Sequence, residues 1–108
     1  MGFSFGAWVA MQLLMRRPEI NGFVSVSPPA NLRDFSFLAP CPSSGLIVHG
    51  DKDNIASFDS TKILAEKLQK QKKVDIKFKS IKGADHFYEN FSNEFNEIVE
   101  NYIKENIN

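Results

Sequence analysis

The apolar positions of this chain change their period from segment to segment, and each change marks an element. Residues 5 to 17 carry Phe5, Ala7, Trp8, Val9, Ala10, Met11, Leu13, Leu14 and Met15, with almost no polar face before Arg16, Arg17 and Pro18. Apolar side chains on most sides predict a buried helix that expects cover from several directions, and Pro18 with Gly22 marks its stop. Residues 22 to 27 form a short β-branched and aromatic run closed by Pro28 and Pro29, which suits a strand that cannot continue. Residues 28 to 44 hold four of the five prolines together with Ser43 and Ser44. They predict a loop with one helical turn near Asn31 to Phe35 and too little chain for a separate lid domain.

Beyond that loop, residues 45 to 49 are a short apolar run ending at Gly50 and Asp51, the pattern of a strand buried on both faces of a parallel sheet. Residues 59 to 72 place Ile63, Leu64 and Leu68 on one stripe and lysines, Glu66 and Gln69 largely on the other. This predicts a surface helix capped by Asp59 or Ser60. Residues 74 to 79 alternate apolar and charged side chains, the period of an edge strand with one wet face. A turn pivoting on Gly83 follows, and Phe91, Phe95, Ile98, Val99, Tyr102 and Ile103 then trace an amphipathic helix from about residue 89 to 103. Strands alternating with helices predict an α/β domain of about three parallel strands with flanking helices in three layers, joined by right-handed crossovers. No internal repeat or low-complexity segment interrupts it.

Composition narrows the function class. The 108 residues suit one domain, and 43% hydrophobic with 24% charged residues is ordinary for a folded protein. Thirteen basic residues balance thirteen acidic ones, leaving no net field to draw in nucleic acid or an anionic membrane. No apolar run reaches a membrane-spanning length, no signal-peptide pattern is visible, and the lone Cys41 cannot form an internal disulfide. The expected compartment is the cytoplasm.

Three short motifs carry candidate chemistry. Gly2-Phe3-Ser4-Phe5-Gly6 has the G-x-S-x-G spacing of a nucleophile elbow, in which small flanking residues let the backbone close beneath an exposed serine. A serine needs a base within hydrogen-bond reach and a group to orient that base. His86, in Gly83-Ala84-Asp85-His86-Phe87, and Asp53, in His49-Gly50-Asp51-Lys52-Asp53, each follow the carboxyl end of a predicted strand, where sites assemble in parallel sheets. Asp51 competes with Asp53 for the acid role, with Asp53 favoured by its spacing from Gly50 and Asp51 suited to bracing the turn. His49 at a strand end reads as a structural histidine, and Asp85 as a residue that shapes its own turn. Cys41, between Pro40 and Pro42, has no visible base partner and reads as inert. Trp8 and the ten phenylalanines are core or pocket-lining.

With those motifs in the order Ser4, Asp53, His86, the chain resembles the C-terminal half of an α/β-hydrolase, within the dienelactone-hydrolase-like and acyl-thioesterase-like esterases. The resemblance covers essentially all 108 residues. It implies Ser4 as nucleophile, Asp53 as orienting acid, His86 as general base and then acid, and the backbone N–H of Phe5 as an oxyanion donor. The implied substrate is a small-molecule ester, thioester or amide, cleaved through an acyl-enzyme without a metal or organic cofactor. Such enzymes also have a strand leading into the elbow and a loop supplying a second oxyanion donor, whereas here only Met1 precedes Gly2. The expectation is therefore the last three strands of the fold and little or no activity alone. The flank of the first helix and the edge of the first strand would be exposed, so the chain would self-associate or need an N-terminal half. The alternative is a non-catalytic fragment or binding module of a split or degraded hydrolase gene.

Overall fold

A computed structural model describes residues 1–17, 22–38, 41, 43–72 and 74–106. Pro18, the expected helix stop, and Pro40 and Pro42 beside Cys41 lie outside the described residues. The order is β1 (Gly2–Phe3), α1 (Phe5–Arg16), β2 (Phe23–Val26), a 3-10 turn (Ser36–Leu38), β3 (Gly45–Gly50), α2 (Phe58–Gln69), β4 (Ile76–Ile81) and α3 (Ser92–Asn106). The strands pair in parallel in the order β1-β2-β3-β4. The α/β class and the flanking helices are as expected. The sheet has four strands rather than about three, because Gly2 and Phe3 pair with Ser25 and Val26. A two-residue strand is too short to show a period, so the pattern of side chains could not reveal it.

The sheet divides two cores. Phe23 and Ile47 face Met11 and Leu14 of α1 and Ala65 and Leu68 of α2. Val24, Val26, Leu46 and Val48 face Val99 and Tyr102 of α3. Adjacent strand residues point to opposite faces, and because both faces are covered β2 and β3 are buried throughout and mostly apolar. Trp8 is half-buried against the first core, and its indole N–H donates to the Asp34 carbonyl at 3.1 Å. Cys41 is buried, its thiol donates to the Ser43 carbonyl at 3.3 Å, and burial pushes its pKa up.

Several boundaries move for identifiable reasons. Helix α2 is capped by Ser57, whose hydroxyl accepts the Ser60 N–H at 3.2 Å, rather than by Asp59 or Ser60. Strand β4 starts two residues late because the Asp75 N–H is taken by the Ser44 hydroxyl at 2.8 Å, so the ladder opens with Gly45 opposite Ile76. Helix α3 starts at Ser92 rather than near 89 because Tyr88 and Asn90 hold φ values of 56° and 69°, which a right-handed helix cannot continue. The turn expected at residues 31–35 appears as turn residues 30–32 and the 3-10 turn after them. Helix α1 is less enclosed than its apolar sequence predicts: only Ala7, Met11 and Leu14 are buried, while Phe5, Val9, Leu13 and Met15 are exposed. Among the described residues no helix is long and apolar enough to cross a membrane.

Candidate active site

The site lies at the carboxyl ends of the parallel strands. Ser4 follows β1 directly and precedes α1, and its backbone is forced to φ 55°, ψ −122°, a region that costs a non-glycine residue about 1–3 kcal/mol. Its N–H donates to the Val26 carbonyl at 2.7 Å, which ties the turn to the end of β2. Although Ser4 occupies the cap position of α1, its side chain makes no cap bond to the helix. The hydroxyl is instead 2.9 Å from Nε2 of His86. Gly2 explains how the turn closes, because a Cβ there would lie 2.5 Å from the Gly6 carbonyl oxygen and 2.7 Å from the Ala7 Cα. Gly6 is different: a Cβ at that position would meet nothing within 4 Å. The tight backbone expected beneath both glycines exists in this structure only at Gly2.

His86 is buried beside β4, and Nδ1 of its ring lies 2.7 Å from Oδ2 of Asp53. A carboxylate only accepts, so Nδ1 carries the proton and Nε2 is left bare toward the Ser4 hydroxyl. The Asp53 side chain is fully buried. Its Oδ1 accepts the N–H groups of Ile55 and Ala56 at 2.9 and 2.8 Å, which pins the carboxylate plane to its own loop. Of the two competing acids, the structure brings Asp53 to His86. Asp51 instead accepts the Gly83 N–H at 2.7 Å, joining the acid loop to the histidine loop. Gly50 lets these loops meet, since a Cβ there would collide with the Ala84 carbonyl. Asp85 shapes its turn by accepting the N–H groups of Phe87 and Glu89.

Two supports went unread in the sequence. Tyr88, two residues after the histidine, is buried with its hydroxyl 2.7 Å from that of Ser27 and donates to the Val48 carbonyl at 3.2 Å. Burial is the main cause that pushes its pKa up to about 12. Ser27 and Tyr88 both hold positive φ, so the ends of β2 and the histidine loop are locked together in conformations that extended chain does not favour. Asn31 accepts the Ser57 N–H at 2.9 Å and so anchors the far end of the acid loop. A tyrosine and an asparagine in loops give no periodic signal, and their partners lie 40 and 26 residues away in sequence.

Phe5 is the first residue of α1, where N–H groups lack intrahelical acceptors, and no acidic side chain occupies the first turn. That helix end is favourable to an anion. Aromatic rings flank the serine turn: Phe3 lies 5.2 Å from the His86 ring, and Phe5 packs 5.4 Å from Trp8 with the Arg33 guanidinium over both. A separate groove of about 440 Å³ between the β2–β3 connection and α2 includes Arg33, Phe35, Leu38 and Lys67 but not Ser4, Asp53 or His86. Among the described residues no group of three or more His, Cys, Asp or Glu side chains could hold a metal ion.

A parallel sheet with helices on both faces, bearing a serine turn at the start of a helix, is the α/β-hydrolase architecture in part. Solved structures bear out that class. A candidate alpha/beta hydrolase of unknown function from Agrobacterium tumefaciens is 51% identical with a TM-score of 0.93, over 95% of this chain and 47% of that one. An alpha-beta serine hydrolase homologue from Coxiella burnetii is 29% identical with a TM-score of 0.78, over 90% of this chain and 44% of that one. The chain belongs to the dienelactone hydrolase family, whose family model matches residues 1–106. An uncharacterized protein of Rickettsia prowazekii (strain Madrid E) is 51% identical over 107 residues, 95% of this chain and 45% of that protein. The chain thus spans less than half the length of these relatives.

Proposed function

We propose that this chain carries the reacting groups of a serine hydrolase acting on an ester, thioester or amide through an acyl-enzyme. The observation that carries the reading is the unbroken chain from the Ser4 hydroxyl to His86 Nε2 at 2.9 Å and from His86 Nδ1 to Asp53 Oδ2 at 2.7 Å. In this reading Ser4 Oγ attacks the substrate carbonyl carbon while its proton passes to His86 Nε2. Asp53 holds the ring in the tautomer that can accept it. The resulting oxyanion is met by the Phe5 N–H at the start of α1, and collapse expels the alcohol, thiol or amine with the proton from His86. Water then attacks the acyl-enzyme, gives its proton to His86, and releases the acid as Ser4 is reprotonated.

Membership of a hydrolase family supports the reading, and so does the absence of a cap bond from Ser4 to its own helix. A fluorophosphonate probe tests it. The probe is expected to label Ser4, to fail on Ser4→Ala, and to react up to about 10⁴-fold more slowly with Asp53→Asn, which presents the wrong partner to His86. Labelling that persists in Ser4→Ala would overturn it. Phe5 is the oxyanion donor that this reading identifies among the described residues, and working without a second typically costs about 10²–10³ in rate. Turnover of p-nitrophenyl acetate by the chain alone is therefore expected to be weak or nil, and appreciable turnover abolished by Ser4→Ala would refute that expectation.

A second reading is favoured by one observation, the exposed row Phe5, Val9 and Leu13 on α1 beside the open edge of β1. In it the chain acts as a docking module that binds a second copy or the other half of a hydrolase fold through that face. Sedimentation at micromolar concentration is expected to show self-association; a clean monomer there would count against it.

A further inference from the structure

His49 sits at the end of β3 with its side chain fully buried, on the face of the sheet that meets the start of α2, where its ring packs edge-on 5.9 Å from Phe58. As a structural histidine it is a poor choice. Its Nδ1 is buried with no hydrogen-bond partner among the described residues, a cost that an apolar side chain of the same volume would avoid. The other nitrogen explains the residue. Nε2 lies 2.8 Å from the Ala56 carbonyl oxygen and 3.2 Å from Asp53 Oδ2. A carbonyl only accepts, so Nε2 carries the proton and presents it along the acid loop.

The loop is thereby closed on itself. Asp53 Oδ1 accepts the Ala56 N–H, His49 donates to the Ala56 carbonyl, and the same His49 nitrogen borders Asp53 Oδ2. Oδ2 is also the oxygen that accepts from His86 Nδ1. Both imidazoles of the chain therefore converge on one carboxylate oxygen, one from β3 and one from the loop after β4. We propose that His49 is a positioning residue of the site, a neutral Nε2–H imidazole that clamps Ala56 and sets Asp53 Oδ2 against His86. This role rests on the hydrolase reading, in which Asp53 orients the base.

The ring works only while neutral. Its pKa is held below the ordinary imidazole value by burial first, and the titratable groups acting on it are Asp53, which opposes that shift, and His86, which adds to it. Protonation would place a second N–H at Nδ1, where none of the described residues accepts it.

The chain has two histidines, so long-range nitrogen–proton NMR correlations read the two rings separately and without substrate. In the wild-type chain His49 is expected as a single Nε2–H tautomer whose titration lies below the ordinary imidazole value, with His86 as an Nδ1–H tautomer. In His49→Phe the His86 signals are expected to lose that single-tautomer pattern. In His49→Gln they are expected to keep it, since the glutamine amide donates from nearly the same place as Nε2. His86 signals unchanged in His49→Phe, or lost in a folded His49→Gln, would overturn the proposal. If His49→Phe does not fold, the wild-type spectrum still decides: a His49 that carries its proton on Nδ1 or titrates normally would overturn it. Failure of the hydrolase reading is seen separately, as absent fluorophosphonate labelling with these spectra as expected.

Discussion

The two sides of the site are held in very different ways. Asp53 and His86 have buried side chains, and the acid loop, the histidine loop and the ends of β2 and β3 are cross-linked by Asp51 to Gly83, Tyr88 to Ser27 and Val48, and Asn31 to Ser57. Ser4 rests on two strand residues, one hydrogen bond to Val26 and a helix whose outward row is exposed. The acid–base side is thus complete within the described residues, whereas the serine side sits at the edge of the sheet. The lesson is that a close glycine and a single strand neighbour suffice to aim a positive-φ serine at its histidine.

The largest expected effect tests the proposal that a further segment of a hydrolase fold completes the serine side. Co-expressing the part of the Agrobacterium tumefaciens protein that this chain does not match is expected to raise p-nitrophenyl acetate turnover by about 10²–10³, the usual worth of one oxyanion donor. The proposed docking face for that segment is the exposed α1 row beside β1, the edge strand among the described residues. Unchanged turnover in a co-purifying complex would mean that the serine side is as complete as the acid–base side, and the comparison would fail.

Legibility in the sequence follows the same divide. On the acid–base side the buried run of β3 and the turns at Asp53 and His86 stood out, because continuous apolar residues ending in glycine and aspartate have few other readings. The alternation of residues 74 to 79 gave the parity of β4 but not its first pair, since alternation is unchanged by a two-residue shift; a serine side chain, Ser44, decided where pairing starts. On the serine side the motif was legible and its scaffold was not, because β1 is two residues long. The surroundings of His49 were illegible for another reason. Its partner is a backbone carbonyl seven residues away, and backbone acceptors leave no trace in a sequence.

The next largest effect separates the two elbow glycines, which the motif treats alike. Gly2→Val drives a side chain into the backbone of α1 at Gly6 and Ala7 and is expected to cost about 3 kcal/mol or more in urea unfolding, together with the labelling of Ser4. Gly6→Ala enters open space in the first turn of a helix and is expected to be neutral or to stabilise by up to about 1 kcal/mol. Equal losses at both positions would mean that the serine turn is supported from both sides already, and that the asymmetry drawn above is wrong.

The smallest effect probes the acid–base side through pH. Burial holds the His49 imidazole below its ordinary value of 6.5, so between the folded value and 6.5 the unfolded chain binds the proton that the folded chain refuses. The sign follows: this contribution to stability is present in full above about pH 6.5 and is lost as pH falls below it, with a slope that one proton limits to about 1.4 kcal/mol per pH unit. Every other titratable group is common to wild type and His49→Gln, so the difference between the two chains isolates His49. Urea unfolding at about pH 7.5 and pH 5 is expected to show wild type losing ground to His49→Gln at the lower pH. A difference that stays flat would place a proton on His49 at little cost, which a fully buried ring with an unpartnered Nδ1 cannot accept, and the closed acid loop would then have to open in the folded state.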